Sequence, residues 1–217
     1  LRRRISFEAQ ASADAAMGAA GRSVPFPRPV LQWLLVLAGF GCCMAMSMPQ
    51  VHMVAMSVDL GYGAAAGAQI LAVMLVGGIV SRLTFGWVAD RLGGVRTLLI
   101  SSGLQCLSLF LYLPFDSYTA LMGVSLVFGL AQGGIVPCYA IIVREYFPAR
   151  EAGSRIGLVI MATIVGMAVG GFASGLVRDL TGSYEMAFLH GIVWNLVNLS
   201  VMGFVLVSSR ARPPVGA

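Results

Sequence analysis

The sequence predicts an all-α integral membrane protein with six transmembrane helices, arranged as two inverted three-helix repeats. Three observations lead there. Of the 217 residues, 58% are hydrophobic and 11% charged, with a mean hydropathy of +0.86, whereas a soluble domain carries about 25% charged residues. Six stretches hold no charge at all: 29–58, 60–81, 97–115, 117–143, 156–177 and 186–209, or 30, 22, 19, 27, 22 and 24 residues. Each reaches the roughly 18–20 residues that an apolar helix needs to cross the hydrocarbon. Finally, the chain resembles itself at an offset near 88. Gly41 and Pro49 fall on Gly129 and Pro137, and Gly86, Val88, Asp90 and Gly93 fall on Gly175, Val177, Asp179 and Gly182. Units three spans apart point in opposite directions, so this repeat is inverted, as in many transporters.

Residues 1–29 are rich in Ala, Gly, Ser, Arg and Pro and read as a cytoplasmic linker or N-terminal arm, whose Arg2, Arg3 and Arg4 can touch anionic lipid. The first span, about 31–57, carries Pro49, Gln50 and His52. The second, about 64–88, carries Arg82 and runs into the segment Gly86 to Arg96. The third covers about 97–115. The fourth, about 118–143, carries Gln132, Pro137, Cys138 and Tyr139. The fifth, about 156–177, has glycine steps (Gly153 and Gly157, Gly166 and Gly170, Gly171 and Gly175) that suit close helix packing. The sixth covers about 186–208, and residues 209–217 form a cytoplasmic tail with nothing apolar to bury.

The arginines orient the bundle. The segments before the first span, between the second and third, between the fourth and fifth, and after the sixth hold 13 of the 14 arginines; the other side holds only Arg178, and there is no lysine. Basic residues mark the cytoplasmic face, so both termini are expected in the cytoplasm, with the protein multi-pass in the plasma (cell inner) membrane. The arginines are dealt out between spans and not clustered on one solvated face, which excludes a nucleic-acid surface. Cys42, Cys43, Cys106 and Cys138 lie within spans and read as packing residues, with no disulfide framework and no metal set. The first apolar run is too long for a signal-peptide core. Asn198-Leu199-Ser200 matches a glycosylation pattern but lies inside the sixth span.

Proline removes a backbone donor and frees a carbonyl one turn back. Pro49 and Pro137 are therefore expected either to break the first and fourth helices at matching places, which in inverted-repeat transporters mark the substrate site, or only to set the curvature of those helices. Gln50, His52, Gln132 and Tyr139 flank these breaks and are candidate substrate ligands. His52 can serve as a protonation site or as a helix-packing donor. Arg82 lies roughly 12 Å along the helix from Asp90, deep enough that its guanidinium must snorkel, pair or face a wet cavity. Facing inward, it offers a fork suited to a carboxylate.

Residues 86–96, Gly-Trp-Val-Ala-Asp-Arg-Leu-Gly-Gly-Val-Arg, resemble the signature cytoplasmic loop of the major facilitator superfamily, G-x-L-A-D-R-x-G followed by basic residues. The segment departs from that pattern at Val88, and Gly94 and Val95 stand where basic residues are usual, leaving Arg96. Arg144-Glu145-Tyr146-Phe147-Pro148 with Gly153-Ser154-Arg155 resembles the connection between the tenth and eleventh helices, and Asp179 to Tyr184 the one that follows. The resemblance covers roughly 30–208 and implies a C-terminal half, helices seven to twelve. It assigns Gly86, Asp90, Arg91, Gly93, Arg96, Arg144, Glu145 and Asp179 to conformational gating. Within the superfamily, Arg82, four residues before Gly86, is similar to the substrate-carboxylate arginine of the monocarboxylate transporter and oxalate:formate antiporter groups. The proton-coupling aspartate of the monocarboxylate carriers corresponds to Gly78 here, and the absence of lysine favours a monoanion over a dianion.

The implied function is secondary active transport of a small organic anion, such as a monocarboxylate, by alternating access as symporter or antiporter. The implied partners are the anionic substrate, the lipid bilayer, and a missing N-terminal six-helix half or a second copy; no cofactor is called for. The chain begins with Leu1 and an arm like a linker, as if cut from between two halves. The alternatives are a non-transporting scaffold or sensor that keeps the fold, or a six-helix unit that homodimerises. An intramembrane hydrolase is a poor third reading: no G-x-S-x-G elbow occurs, and His52 and His190 have no obvious nucleophile at motif spacing.

Overall fold

A computed structural model describes residues 24–210. The first 23 residues of the predicted arm and the tail beyond Arg210 lie outside the described residues. Seven α-helices form six spans: α1 (Arg28–Asp59), α2 (Ala64–Leu92), α3 (Gly94–Leu111), α4 (Tyr118–Gln132) continued by α5 (Ile135–Tyr146), α6 (Ala149–Thr181) and α7 (Tyr184–Arg210). No strand occurs among the described residues. At about 1.5 Å per residue, the 18 residues of α3 just cross the hydrocarbon, while the 33 of α6 extend past it. Large apolar side chains cover the outside, with Leu83, Phe172 and Leu180 each about three-quarters exposed. Such a surface suits lipid and not water. Trp33 and Trp87 lie exposed toward the arginine-rich end and Tyr62 toward the other, where amphipathic rings meet headgroups.

The packing pattern has the expected internal symmetry. The helix α1 lies along α6 and α7, the fourth span lies along α2 and α3, and α3 meets α7. Exchanging α1 with the fourth span, α2 with α6 and α3 with α7 returns the same set of neighbours. The chain is thus two three-helix units of opposite direction.

Glycines let these helices approach backbone to backbone. On α6, a Cβ at Gly166 or Gly170 would run into the backbone of Phe40 or Met44, and one at Gly175 would lie 3.1 Å from the His52 ring. In the other unit, a Cβ at Gly129 would collide with the Met74 carbonyl of α2. The close packing expected of Gly153 and Gly157 is absent, since both face open space. Nor do Gly41 and Gly129 have equivalent roles, because Gly41 faces the Trp194 carbonyl of α7.

Connections are short. A single glycine, Gly93, ends α2 and starts α3 with φ 81°, a value other residues rarely adopt. Gly182, at φ 70°, ends α6 and donates its N–H to the Arg178 carbonyl at 2.7 Å, closing the last turn in the usual left-handed cap.

The expected helix breaks need correction. Pro49 interrupts nothing: α1 is continuous from Arg28 to Asp59, with Pro49 buried inside it. The fourth span does break, but at Gly133–Gly134. Pro137 sits in the first turn of α5, where its missing N–H costs least, and the carbonyl it leaves without a donor is that of Gly133. Two flexible glycines one turn before the proline let the fourth span open; α1 has Ala45 and Met46 there.

Candidate functional site: the broken fourth span

The break organises one layer of the bundle. Gly133 and Gly134 press against α2, such that a Cβ at Gly133 would fall 2.7 Å from Ser81 Cβ and one at Gly134 would strike the Phe85 side chain. Gln132, just before the break, accepts a hydrogen bond through Oε1 from Gln50 Nε2 of α1 at 2.6 Å. Three elements thus meet at one level: the Ser81–Phe85 turn of α2, the end of α4, and the Gln50 turn of α1. Arg82 belongs to this turn. Its neighbour Ser81 is fully buried against the break, and about 100° further round the helix Arg82 is exposed. Among the described residues the ion pairs are Arg155–Glu151, Arg178–Asp59 and Arg178–Asp179, and none involves Arg82. Sequence reasoning named Arg82, Gln50 and Gln132, and the fold brings their turns together.

The other two candidate ligands point elsewhere. His52 Nε2 lies 2.8 Å from the Gly171 carbonyl of α6; a carbonyl only accepts, so Nε2 carries the proton and the ring acts as a packing donor between α1 and α6. Tyr139 is fully buried. Its hydroxyl donates to Asn198 Oδ1 at 3.0 Å, and Asn198 Nδ2 donates to Ser102 Oγ at 2.9 Å. This chain ties α5, α7 and α3 together, so the structure places Tyr139 in a buried packing network apart from the Gln50–Gln132 bond. Asn198 and Ser102 escaped sequence reasoning, because a polar residue in a uniformly apolar span gives no sign of which neighbour it faces. Tyr139→Phe is expected to leave the Asn198 acceptor buried without its donor, a cost of about 1–3 kcal/mol. A fall in Tm with unchanged substrate affinity checks the assignment.

At the arginine-rich end, Glu145 at the end of α5 accepts the Gly94 N–H at 2.9 Å. Its carboxylate thus sits on the amino end of α3, where negative charge is favoured, and couples the fourth span to the α2–α3 connection. Of the rest of the set predicted to gate at this end, Gly93 is buried in the α2–α3 connection and the others are superficial. Asp90, Arg96 and Arg144 are exposed, Gly86 meets open space, and Arg91 lies over the Trp87 ring at 3.9 Å. A bridge that the sequence reading missed joins α6 to α1. Arg155 Nη2 pairs with Glu151 at 2.7 Å, while Gln32 Nε2 donates to the Arg155 carbonyl at 3.3 Å.

At the arginine-poor end, Asp179 meets only its neighbour Arg178, at 3.3 Å. The connecting carboxylate is instead Asp59, which pairs with Arg178 and accepts from the Tyr184 hydroxyl at 2.7 Å, tying α1, α6 and α7. The available signal was that Arg178 is the single arginine on that side.

Six apolar spans in two exchanged three-helix units, with the one interrupted span among the described residues at the polar layer, define a half-bundle of the inverted-repeat membrane-transporter class. The profile of the Major Facilitator Superfamily matches residues 33–216, and the chain belongs to that family. It is similar to Monocarboxylate transporter 13 of Bos taurus, 29% identical over 170 residues, which cover 77% of this chain and 38% of that protein. Monocarboxylate transporter 10 of Homo sapiens is 34% identical over 133 residues, 58% of this chain and 25% of that one. The MFS-type transporter hasB of Aspergillus fumigatus is 30% identical over 189 residues, 83% and 41%. This chain therefore spans about two-fifths or less of the length of these relatives. Among solved structures, the POT family transporter PepTSo superposes with a TM-score of 0.75 at 16% identity, covering 88% of this chain and 40% of that one. A peptide transporter POT in complex with alafosfalin gives 0.74 at 18% identity, covering 90% and 42%. At such identities the likeness speaks to the fold alone.

Proposed function

We propose that the chain is the six-helix half of a secondary transporter that moves a small monocarboxylate by alternating access. The observation that carries this reading is Arg82. It is a guanidinium within a membrane span, it has no acidic partner among the described residues, and it lies at the level of the broken helix and the Gln50–Gln132 bond. A charge at that depth is costly unless it serves a partner, and a carboxylate matches the guanidinium fork. The names of the monocarboxylate transporter relatives support the same substrate class. Gln50 and Gln132 lie where they can exchange their mutual bond for one to the substrate, which links occupancy to the α1–α4 contact. Glu145 on the α3 amino end and the Asp59–Arg178–Tyr184 cluster act as latches at the two ends. A further six-helix half, or a second copy, completes the cavity against α2 and α6, the spans least covered within the bundle along with α7.

The test is uptake of radiolabelled short monocarboxylates into proteoliposomes containing the full-length protein. Saturable uptake that excess unlabelled substrate competes away supports the reading; its absence for every small anion tried favours the scaffold alternative. The arginine-rich end is assigned to the cytoplasm. Single cysteines introduced at Arg96 and Asp116, in a background lacking the four native ones, are expected to react with an impermeant maleimide from outside only at Asp116.

A further inference from the structure

We propose that the break in the fourth span binds a sodium-sized monovalent cation, held between the carboxyl end of α4 and the Ser81 hydroxyl of α2. Its role as coupling ion rests on the carboxylate reading above, whereas the binding site itself does not.

The donors come from both sides of the α2–α4 contact. Pro137 offers no amide hydrogen, so the Gly133 carbonyl has no α-helical donor, and regular bonding resumes only with Cys138 N–H to the Gly134 carbonyl at 3.4 Å. The carboxyl end of α4, with the negative end of its dipole, is thus opened inside the membrane, where no bulk water satisfies it. Packed beside it on α2 is an independent feature. Ser81 is fully buried, and its Oγ has no hydrogen-bond partner, although its own carbonyl is taken by Thr84 Oγ1 at 3.1 Å. An orphaned hydroxyl at that depth is costly. It lies against Gly133, beside which the Gly78 carbonyl also points into the contact.

The chemistry of these donors selects the ligand. All are neutral oxygens, which suit a hard cation; carbonyl oxygens can replace an ion's hydration shell. No carboxylate stands among them to neutralise a divalent ion. The contact is also too close for a polyatomic anion, because a single added carbon at Gly133 would already meet Ser81 Cβ at 2.7 Å. Arg82 supplies the linkage. Its charge, one residue from Ser81 but on the adjoining face, opposes a cation; a carboxylate on the guanidinium cancels that opposition. Anion and cation then favour each other's binding by the same factor in both directions, without a carboxyl group from the described spans.

The experiment is a thermal-shift titration of the purified full-length protein with sodium chloride, choline chloride holding ionic strength constant, beside uptake in proteoliposomes. Sodium is expected to raise the Tm of the wild type. Ser81→Ala, which removes only the orphaned hydroxyl, and Pro137→Ala, which gives the Gly133 carbonyl a donor, should each raise the half-saturating sodium concentration by about tenfold or more. Arg82→Gln should keep the sodium shift, at a lower half-saturating concentration because the opposing charge is gone, and lose uptake. Equal wild-type Tm in sodium and choline, or an unchanged sodium titration in Ser81→Ala, overturns the cation site. Normal uptake by Arg82→Gln, with the sodium shift intact, overturns the carboxylate reading and the coupling role and leaves the binding site standing.

Discussion

Arg82→Gln is expected to remove saturable monocarboxylate uptake while the protein still reaches the membrane in normal amount. Truncating one member of a desolvated, hydrogen-bonded charge pair costs about 2–5 kcal/mol, so apparent affinity falls by roughly 30-fold or more. The folded state should tolerate the change, because the side chain is exposed and makes no ion pair among the described residues. Arg82→Lys is the instructive companion. It keeps the charge and loses the planar fork, so an intermediate affinity indicates two-point recognition of a carboxylate. Uptake kinetics at matched expression decide the matter, and wild-type uptake by Arg82→Gln would sink the proposal.

Gly129→Leu is expected to have the largest effect on folding. The added side chain would meet the Met74 carbonyl and the Gly78 amide of α2. These are backbone atoms, which cannot turn aside as a flexible side chain does. Overpacking costs about 1–3 kcal/mol where side chains can adjust; here α2 and α4 must separate, so the penalty should lie at or above the top of that range. The check is the yield of monodisperse protein and its Tm in detergent. Gly157→Ala serves as control, because open space surrounds that position and alanine favours a helix over glycine by about 1 kcal/mol. Equal losses in both variants would refute the close-contact argument.

Much of this architecture was readable because the bilayer imposes a simple rule: runs without charge become spans, and arginines gather at one end. The same uniformity hides the rest. In a helix that is apolar all round, no periodic pattern says which face meets a neighbour, so Tyr139 and Gln132, seven residues apart, looked equivalent. One turned out to join a buried hydrogen-bond chain and the other a bond to α1. The two prolines show a second limit. Pro49 and Pro137 occupy matching positions in the repeat, yet only the one preceded by a glycine pair accompanies a break. Paired groups from distant spans, such as Asp59 with Arg178 or Glu145 with Gly94, depend on which helices the packing brings side by side, and spacing along the chain carries no trace of that. Arg82 was legible for the opposite reason: a charge inside an apolar run is conspicuous by itself.

The single-residue connection at Gly93 also bears on where the chain can take an insertion. With one glycine between α2 and α3, and two residues between α6 and α7, each pair is a tight antiparallel hairpin with no slack loop to absorb added residues. An epitope tag spliced in after Gly93 would pry that hairpin apart, whereas one placed in the six residues between α3 and α4 would ride on the outside of a unit already inserted.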